Sequence, residues 1–298
     1  MPDSNDKILQ VASAVAASFV KNYKCSLHEA TEFFYNNLVR DTSITKLIEN
    51  AASEKQLSKN STFKNFVKQH KKELYYKLRQ YKGNDASKSG LMQALQLAQN
   101  DPSEASRQAL LQSIAAFHVS SQERLAQNEL FYRHLSQLMP DVHSIVDVGC
   151  GVQPLLFPQE NFPAMEKYLA LDKDKESIWL LDAVKNIFKD RYRWLFPKAW
   201  NIGEGWKDVC HEHGLADFDL ALILKVVPVV KRTSPVLLEQ LAAIPAKTIV
   251  ISGVKESMVK KQDIERKERK AIDRFIKDSG RNAIAEFELD NEFFIIVR

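Results

Sequence analysis

Ser144-Ile-Val-Asp147-Val-Gly149-Cys-Gly151-Val-Gln153-Pro154-Leu155 is a short apolar run that carries an acid and closes on two glycines separated by one residue. A run of that length ending in Gly-x-Gly reads as a buried strand turning sharply, and the missing side chains let a ligand approach the backbone amides. Asp147 can accept a bond from a cationic amino group or order the turn. Roughly twenty residues further on, Leu169-Ala-Leu-Asp172 reads as a second strand ending in an acid, the position from which a carboxylate takes both hydroxyls of a ribose. A dinucleotide fingerprint would show a third glycine soon after the second. Here Val152-Gln153-Pro154 follows and delays the next helix, so S-adenosylmethionine suits the turn better than a dinucleotide.

Outward from this stretch, short apolar runs alternate with amphipathic helical patterns, which indicates a parallel sheet covered by helices on both faces. Strands are expected at 144–149, 168–172, 193–196, 218–225 and 248–253, and helices at 174–188, 234–243 and 263–279. The chain closes on strands at 282–288 and 292–297 around Asp290-Asn291, a two-residue turn suited to a hairpin. The expected class is α/β, a Rossmann-like seven-stranded sheet of the S-adenosylmethionine-dependent methyltransferase type. Before residue 140 no period-two pattern occurs. Ile8, Val11, Ala12, Val15 and Phe19 form a helical stripe, Ser26 with Glu29 forms a capping box, and Ser61 opens a helix whose Phe63, Phe66 and Val67 face inward. A break is expected over Lys82–Gly90, and Asp101-Pro102-Ser103 starts a further helix. Two domains follow: a helical one over 1–105 and the sheet domain over 106–298.

The charge divides along the same line. Residues 1–105 hold 15 Lys/Arg against 11 Asp/Glu, whereas residues 106–298 hold 27 of each. Within 55–82 there are nine basic side chains and one acid, Glu73. Lys64, Lys68, Lys71, Lys72 and Arg79 belong to this run, interleaved with Tyr75, Tyr76 and Tyr81. A basic surface with aromatic faces is a footprint of nucleic-acid binding, and a solvated helix face is the alternative. The longest early apolar run, Ile8–Val20, is interrupted by polar residues and too short for a membrane span. The polar, acidic start MPDSNDK does not look like a signal peptide. Cys25, Cys150 and Cys210 are odd in number and far apart, which argues against a disulfide framework and for a reducing, cytoplasmic setting. Cys210-His211-Glu212-His213 contains metal-ligating types, but adjacent positions cannot converge on one ion and no second ligand pair follows, so no metal is expected.

Three stretches resemble the Arm/Kgm-type 16S rRNA (guanine(1405)-N7)-methyltransferases of aminoglycoside resistance. His118-Val-Ser-Ser121-Gln-Glu123-Arg124-Leu125 is similar to that family's signature before its first strand, Asp147–Leu155 to its cofactor turn, and Leu224-Lys225-Val-Val-Pro228 to its motif after the fourth strand. The resemblance implies an enzyme that uses S-adenosylmethionine on 16S rRNA in the 30S subunit, with no membrane partner. It also implies that Arg124 holds the cofactor's carboxylate, that the Gly149-Cys150-Gly151 backbone holds its methionine portion and Asp172 its ribose, that Asn201 and Leu224 complete the cofactor site, and that Lys225 orients the target nucleotide. N7 of guanine carries an in-plane lone pair, so no general base is needed. Phe157, Trp194, Trp200, Trp206 and Phe293 are candidates to stack on the target base.

The chain departs from the family's usual pattern at Gln153, where Asn is usual, and at Asn201 and Lys231, where acids are usual. It departs again over Ser252-Gly253-Val-Lys255-Glu-Ser257 and the charged helix after it. Another RNA nucleotide, a small-molecule acceptor or a non-catalytic RNA-binding module on the same fold are the competing readings. The basic 55–82 run argues against a small metabolite, and the intact Arg124, Asp147, Gly149, Gly151 and Asp172 constellation argues against a degenerate domain.

Overall fold

A computed structural model describes residues 4–23, 25–78, 85–117, 127–257 and 262–298. It divides into two compact units. The first is helical: α1 (Ser4–Val20), α2 (Leu27–Arg40), α3 (Thr42–Asn50), the single turn α4 (Glu54–Leu57) and α5 (Ser61–Leu78). Ser26 caps α2, its side chain accepting from Glu29 N–H while the Glu29 carboxylate accepts from Ser26 N–H, so the capping box closes as the sequence predicts. Asp41 caps α3 in turn, through Ser43 and Ile44 N–H. The apolar stripes meet in one small core that includes Ala12, Phe19, Phe34, Ile48, Phe63 and Phe66.

The second unit adds α6 (Asp85–Asn100), α7 (Glu104–Phe117) and α8 (Asn128–Leu138) before a seven-stranded sheet: β1 (Ser144–Val148), β2 (Lys167–Asp172), β3 (Leu195–Ala199), β4 (Phe218–Leu224), β5 (Ala246–Val254), β6 (Ala283–Leu289) and β7 (Glu292–Val297). Strand order is β3-β2-β1-β4-β5-β7-β6, with β7 antiparallel to both neighbours and the remaining pairs parallel. The helices between strands are α9 (Lys175–Ile187), α10 (Lys207–His213), α11 (Val226–Thr233), α12 (Leu238–Ala242) and α13 (Glu265–Asp278). Period-two alternation sends Ile145 into the core on one face of the sheet and Val146 and Val148 into the core on the other.

Several boundaries differ from the sequence expectation, each for a physical reason. The compact units divide near residue 80 and not at 105, because Leu91, Leu95, Leu110 and Ile114 of α6 and α7 share a core with Ile145 and Tyr168 of the sheet. α6 begins inside the segment read as a break: its Gly90 lies near the start of a helix that is secured by packing at Leu91, Leu95 and Ala98. β3 lies two residues later than expected and contains Pro197, which an edge strand tolerates because one side of its backbone has no ladder to serve. α11 has a valine-rich sequence without a helical cue, and α10 occupies residues for which no element is expected from sequence. The 234–243 helix is a 3₁₀ turn over Pro235–Leu237 followed by the short α12.

The hairpin at Asp290-Asn291 forms as expected, and it closes the sheet tightly. Gly253 of β5 faces Phe293 of β7 so closely that a Cβ there would lie 2.5 Å from Phe293 Cζ and 3.0 Å from Ile272 Cδ1. The Arg269 guanidinium lies 4.1 Å from the centre of the same ring, against a fully buried phenyl with little room to shift. Gly253→Ala should therefore overpack this corner and destabilise the fold by about 1–3 kcal/mol, read as a lowered urea midpoint with an unchanged slope.

Candidate cofactor cleft and its surroundings

The parallel strands run from β1 to β2 and β3 on one side and from β4 to β5 on the other, so the chain reverses direction of travel across the sheet between β1 and β4. Open α/β sheets bind ligands outside the carboxyl ends of their strands at such a point. A cleft of 510 Å³ lies there, within the size range of small-molecule sites.

Its floor is the turn after β1. Gly149 and Gly151 both take positive φ, +70° and +53°, which glycine adopts without strain. The Gly149 and Cys150 N–H groups both donate to Leu171 O, at 2.8 and 3.2 Å, and Gly151 N–H donates to Asp172 Oδ2 at 2.8 Å. Asp172 Oδ1 accepts from Asp174 N–H at 2.9 Å. The carboxylate is thus fixed at the end of β2 by two backbone amides, and each oxygen keeps acceptor capacity for a ligand. A Cβ on Gly149 would come within 2.8 Å of Val226 Cγ2, so backbone and helix α11 meet there at glycine distance only.

Asp147 is 1% exposed, and its Oδ2 accepts from Tyr168 Oη at 2.8 Å. Burial, reinforced by the Asp147 carboxylate, pushes the Tyr168 phenol well above its ordinary range. Burial first, then the charges of Asp147 and Asp172, does the same to the Cys150 thiol. Both groups therefore stay protonated, and Cys150 is no nucleophile.

Lys225 follows β4 in the left-handed region, φ +63°, the one non-glycine residue with positive φ among the described residues. Its backbone N–H donates to Ser252 O and Ser252 Oγ, at 3.2 and 3.0 Å. Strained backbone at the mouth of a cleft is characteristic of functional positions.

The structure brings Asp147, Gly149, Cys150, Gly151, Asp172, Asn201, Leu224 and Lys225 around this one cleft. Asn201 caps a 3₁₀ turn, its Oδ1 accepting from Gly203 N–H at 3.2 Å while Glu204 Oε1 accepts from its backbone N–H. Buried Gln153 also lines the cleft, and its amide donates to Asn128 Oδ1 of α8. Its extra methylene reaches that helix. All five aromatic stacking candidates are buried core residues, and of them only Trp200 also lines the cleft, so Phe157, Trp194, Trp206 and Phe293 are corrected to packing roles. Trp200 itself is held against Trp206 at 4.7 Å between ring centres. Arg124, with the rest of the 118–125 motif, and Arg79 lie outside the described residues.

In the helical unit Lys64, Lys68 and Lys72 are exposed on α5. Lys71 instead donates to Ser18 Oγ at 2.6 Å, and burial lowers the pKa of its ammonium. Tyr76 is exposed with Lys72 Nζ 5.9 Å from its ring centre, whereas Tyr75 is half-buried against Tyr23. His211, Glu212 and His213 sit on α10, with Glu212 paired to Lys198. Among the described residues no three metal-ligating side chains gather, and no helix is long and apolar enough to cross a membrane.

Residues 35–296 match the family model described as "Ribosomal RNA methyltransferase (FmrO)". The chain belongs to the FmrO family of ribosomal RNA methyltransferases. Within 115 residues it is 28% identical to a 16S rRNA (guanine(1405)-N(7))-methyltransferase of Frankia casuarinae, covering 39% of this chain and 37% of the relative. A protein of the same description from Micromonospora olivasterospora is 26% identical over 132 residues, covering 44% and 40%. The matched stretches thus span about two-fifths of those relatives' length. In fold, the chain is similar to the 16S rRNA methyltransferase RmtF in complex with S-adenosyl-L-homocysteine, with TM-score 0.54 and 20% identity over 81% of this chain and 86% of that one. The 16S rRNA methylase RmtB is similar with TM-score 0.51 and 12% identity over 100% and 99%.

Sequence reasoning about the FmrO-type cleft passed over Tyr168 and Glu292. Each is polar in an otherwise apolar strand, and a charged side chain at the start of a hairpin strand reads as solvated, whereas Glu292 is buried. Tyr168→Phe removes a donor from the buried Asp147 carboxylate and should destabilise the protein by about 1.5–3 kcal/mol at neutral pH. Urea denaturation of the wild-type and variant proteins measures the difference.

Proposed function

We propose that the protein transfers the methyl group of S-adenosylmethionine to N7 of guanine 1405 of 16S rRNA within the 30S subunit, the modification that confers aminoglycoside resistance. The cytoplasm is where that substrate is found. The observation that carries this reading is the junction of two β1 and β2 features at the switch point of an FmrO-family sheet: a glycine turn in left-handed conformation, and an acid clamped by that turn at the adjacent strand end. The residues fit the cofactor. Asp172 has the place and remaining lone pairs for a ribose diol, Asp147 offers a buried negative charge beside the turn, and Asn201 and Leu224 line the same space. Arg124 is proposed to hold the cofactor's carboxylate through its planar fork.

When bound, the cofactor supplies a methyl group on a positively charged sulfur. The guanine N7 lone pair forms the new N–C bond, the S–C pair returns to sulfur, and positive charge passes to the base without any proton moving. Catalysis then rests on proximity and alignment, which supply up to ~7–11 kcal/mol. Lys225, at the mouth of the cleft, positions the acceptor nucleotide through its phosphate or its O6. Incubating purified 30S subunits with the protein and methyl-labelled cofactor should place one label on N7 of guanine 1405, mapped by strand scission at 7-methylguanine. Label on another nucleotide would overturn the target, and no label would overturn the activity.

The exposed lysines of α5 are proposed to dock the protein on rRNA through phosphates. Binding would then weaken steeply with salt, in proportion to the phosphates neutralised. Reversing Lys64, Lys68 and Lys72 to Glu should abolish 30S binding at moderate salt while cofactor affinity, measured by calorimetry, stays at the wild-type value. Undiminished 30S binding would remove the role.

A further inference from the structure

Beside the cleft, three residues from neighbouring strands close a ring. Ser252 of β5 accepts from the Lys225 backbone N–H at 3.0 Å and donates its hydroxyl to Glu292 Oε1 of β7 at 2.5 Å. The other Glu292 oxygen, Oε2, faces Lys225 Nζ at 3.4 Å. Backbone and side chain of Lys225 are thus both tied to one carboxylate, the first through a serine with no exposed surface. The strand order β4-β5-β7 makes this possible: Ser252 pairs with Leu224 on one side and Phe294 on the other.

The arrangement has an electrostatic consequence. Lys225 lines the cleft and Glu292 does not. An ammonium in that wall would repel a cationic ligand; a carboxylate behind it, largely withdrawn from solvent, cancels much of that field. Only 11% of the Glu292 side chain is exposed, so screening by water is weak. Among the described residues the other charges lining the cleft are Asp147, Asp172 and Asp174 against Lys173, and with Lys225 offset by Glu292 their balance is negative.

We infer that Glu292 is a positioning residue whose charge, acting through Lys225, makes the cleft favour the sulfonium cofactor over its neutral thioether product. The inference rests on the proposed use of S-adenosylmethionine. The two ligands share adenosine and the amino-acid moiety and differ by one methyl group and one positive charge, so the ratio of their affinities reports on the charge of the wall. Discrimination of this kind would also limit inhibition by the spent cofactor, S-adenosylhomocysteine.

The test is calorimetric titration of the full chain with each ligand. In Glu292→Gln, loss of that carboxylate's charge should weaken S-adenosylmethionine relative to S-adenosylhomocysteine by about fivefold, the scale of a unit charge acting across a partly hydrated cleft. In Lys225→Met the ratio should move by a similar factor the other way, and the double variant should return towards wild type. A ratio within about twofold of wild type in both single variants, an effect too small for a unit charge at this range, would overturn the inference and leave the ring a structural tie. Because the two substitutions carry opposite signs, either alone decides the question if the other does not fold. Wild-type protein that binds neither ligand would instead overturn the proposed cofactor, a distinguishable failure.

Discussion

Two backbone amides hold the Asp172 carboxylate, and much of the cleft depends on that grip. The Gly151 N–H reaches it only because Gly149 and Gly151 turn through left-handed conformations, folding the chain back over the end of β2. Leu171 O receives two further donors from the same turn. A strand end and a turn that are 21 residues apart in the Gly151–Asp172 bond therefore behave as one rigid piece. Val226 presses on Gly149 from the other side of the switch point, so the exit of β4 is registered against the same turn. A side chain at Gly149 would have to displace the Val226 side chain at the start of helix α11, while loss of the Asp172 carboxylate would free the floor on which a ligand is laid.

How much of this was legible follows from which forces are local. β1, β2 and the β6–β7 hairpin could be read because apolar runs ending in Gly-x-Gly, an acid or Asp-Asn state their own boundaries. α11 could not: Val226, Val227, Val229 and Val230 favour strands, and the helix exists because Val227 and Val230 are buried on the sheet. The domain boundary failed for a related reason, since α6 and α7 look like their helical predecessors and differ only in the core they join. Within the site, Asp147, the glycine turn, Asp172 and Lys225 were legible by position. Tyr168, Ser252 and Glu292 were not, because their importance arises from partners 21, 27 and 40 residues away in sequence. The aromatic candidates erred the other way: large rings are more often buried for their apolar area than kept for a ligand.

Charge separates the two units in composition. The first third of the chain carries the whole +4 excess, and α5 presents its lysines to solvent on a helix anchored by Phe63 and Phe66. The sheet unit, neutral in sum, confines its charges to local devices. Arg269 pairs with Glu265, Glu286 and Glu288, and Lys255 with Glu288, so one face of edge strand β6 carries ion pairs. Such charges discourage pairing with another sheet. The net basic charge and these local ion pairs thus fall in different units.

The ionisable groups of the cleft also bear on which acceptor atoms suit it. Methylation of a carbon, an amine N–H or a ribose hydroxyl requires a proton to be removed, and an enzyme performing it needs a base whose pKa lies near the working pH. Cys150 and Tyr168 are pushed the wrong way, towards permanent protonation, by burial and by the Asp147 charge. The carboxylates of Asp147 and Asp172 are already engaged, one by the Tyr168 hydroxyl and the other by two amides. Lys225 Nζ lies 3.4 Å from Glu292 Oε2, in an ion pair behind the cleft wall. Each of these groups, among the described residues, is occupied in holding geometry or in balancing charge. That inventory suits an acceptor which brings its own lone pair and leaves the reaction carrying a positive charge, as a ring nitrogen such as guanine N7 does.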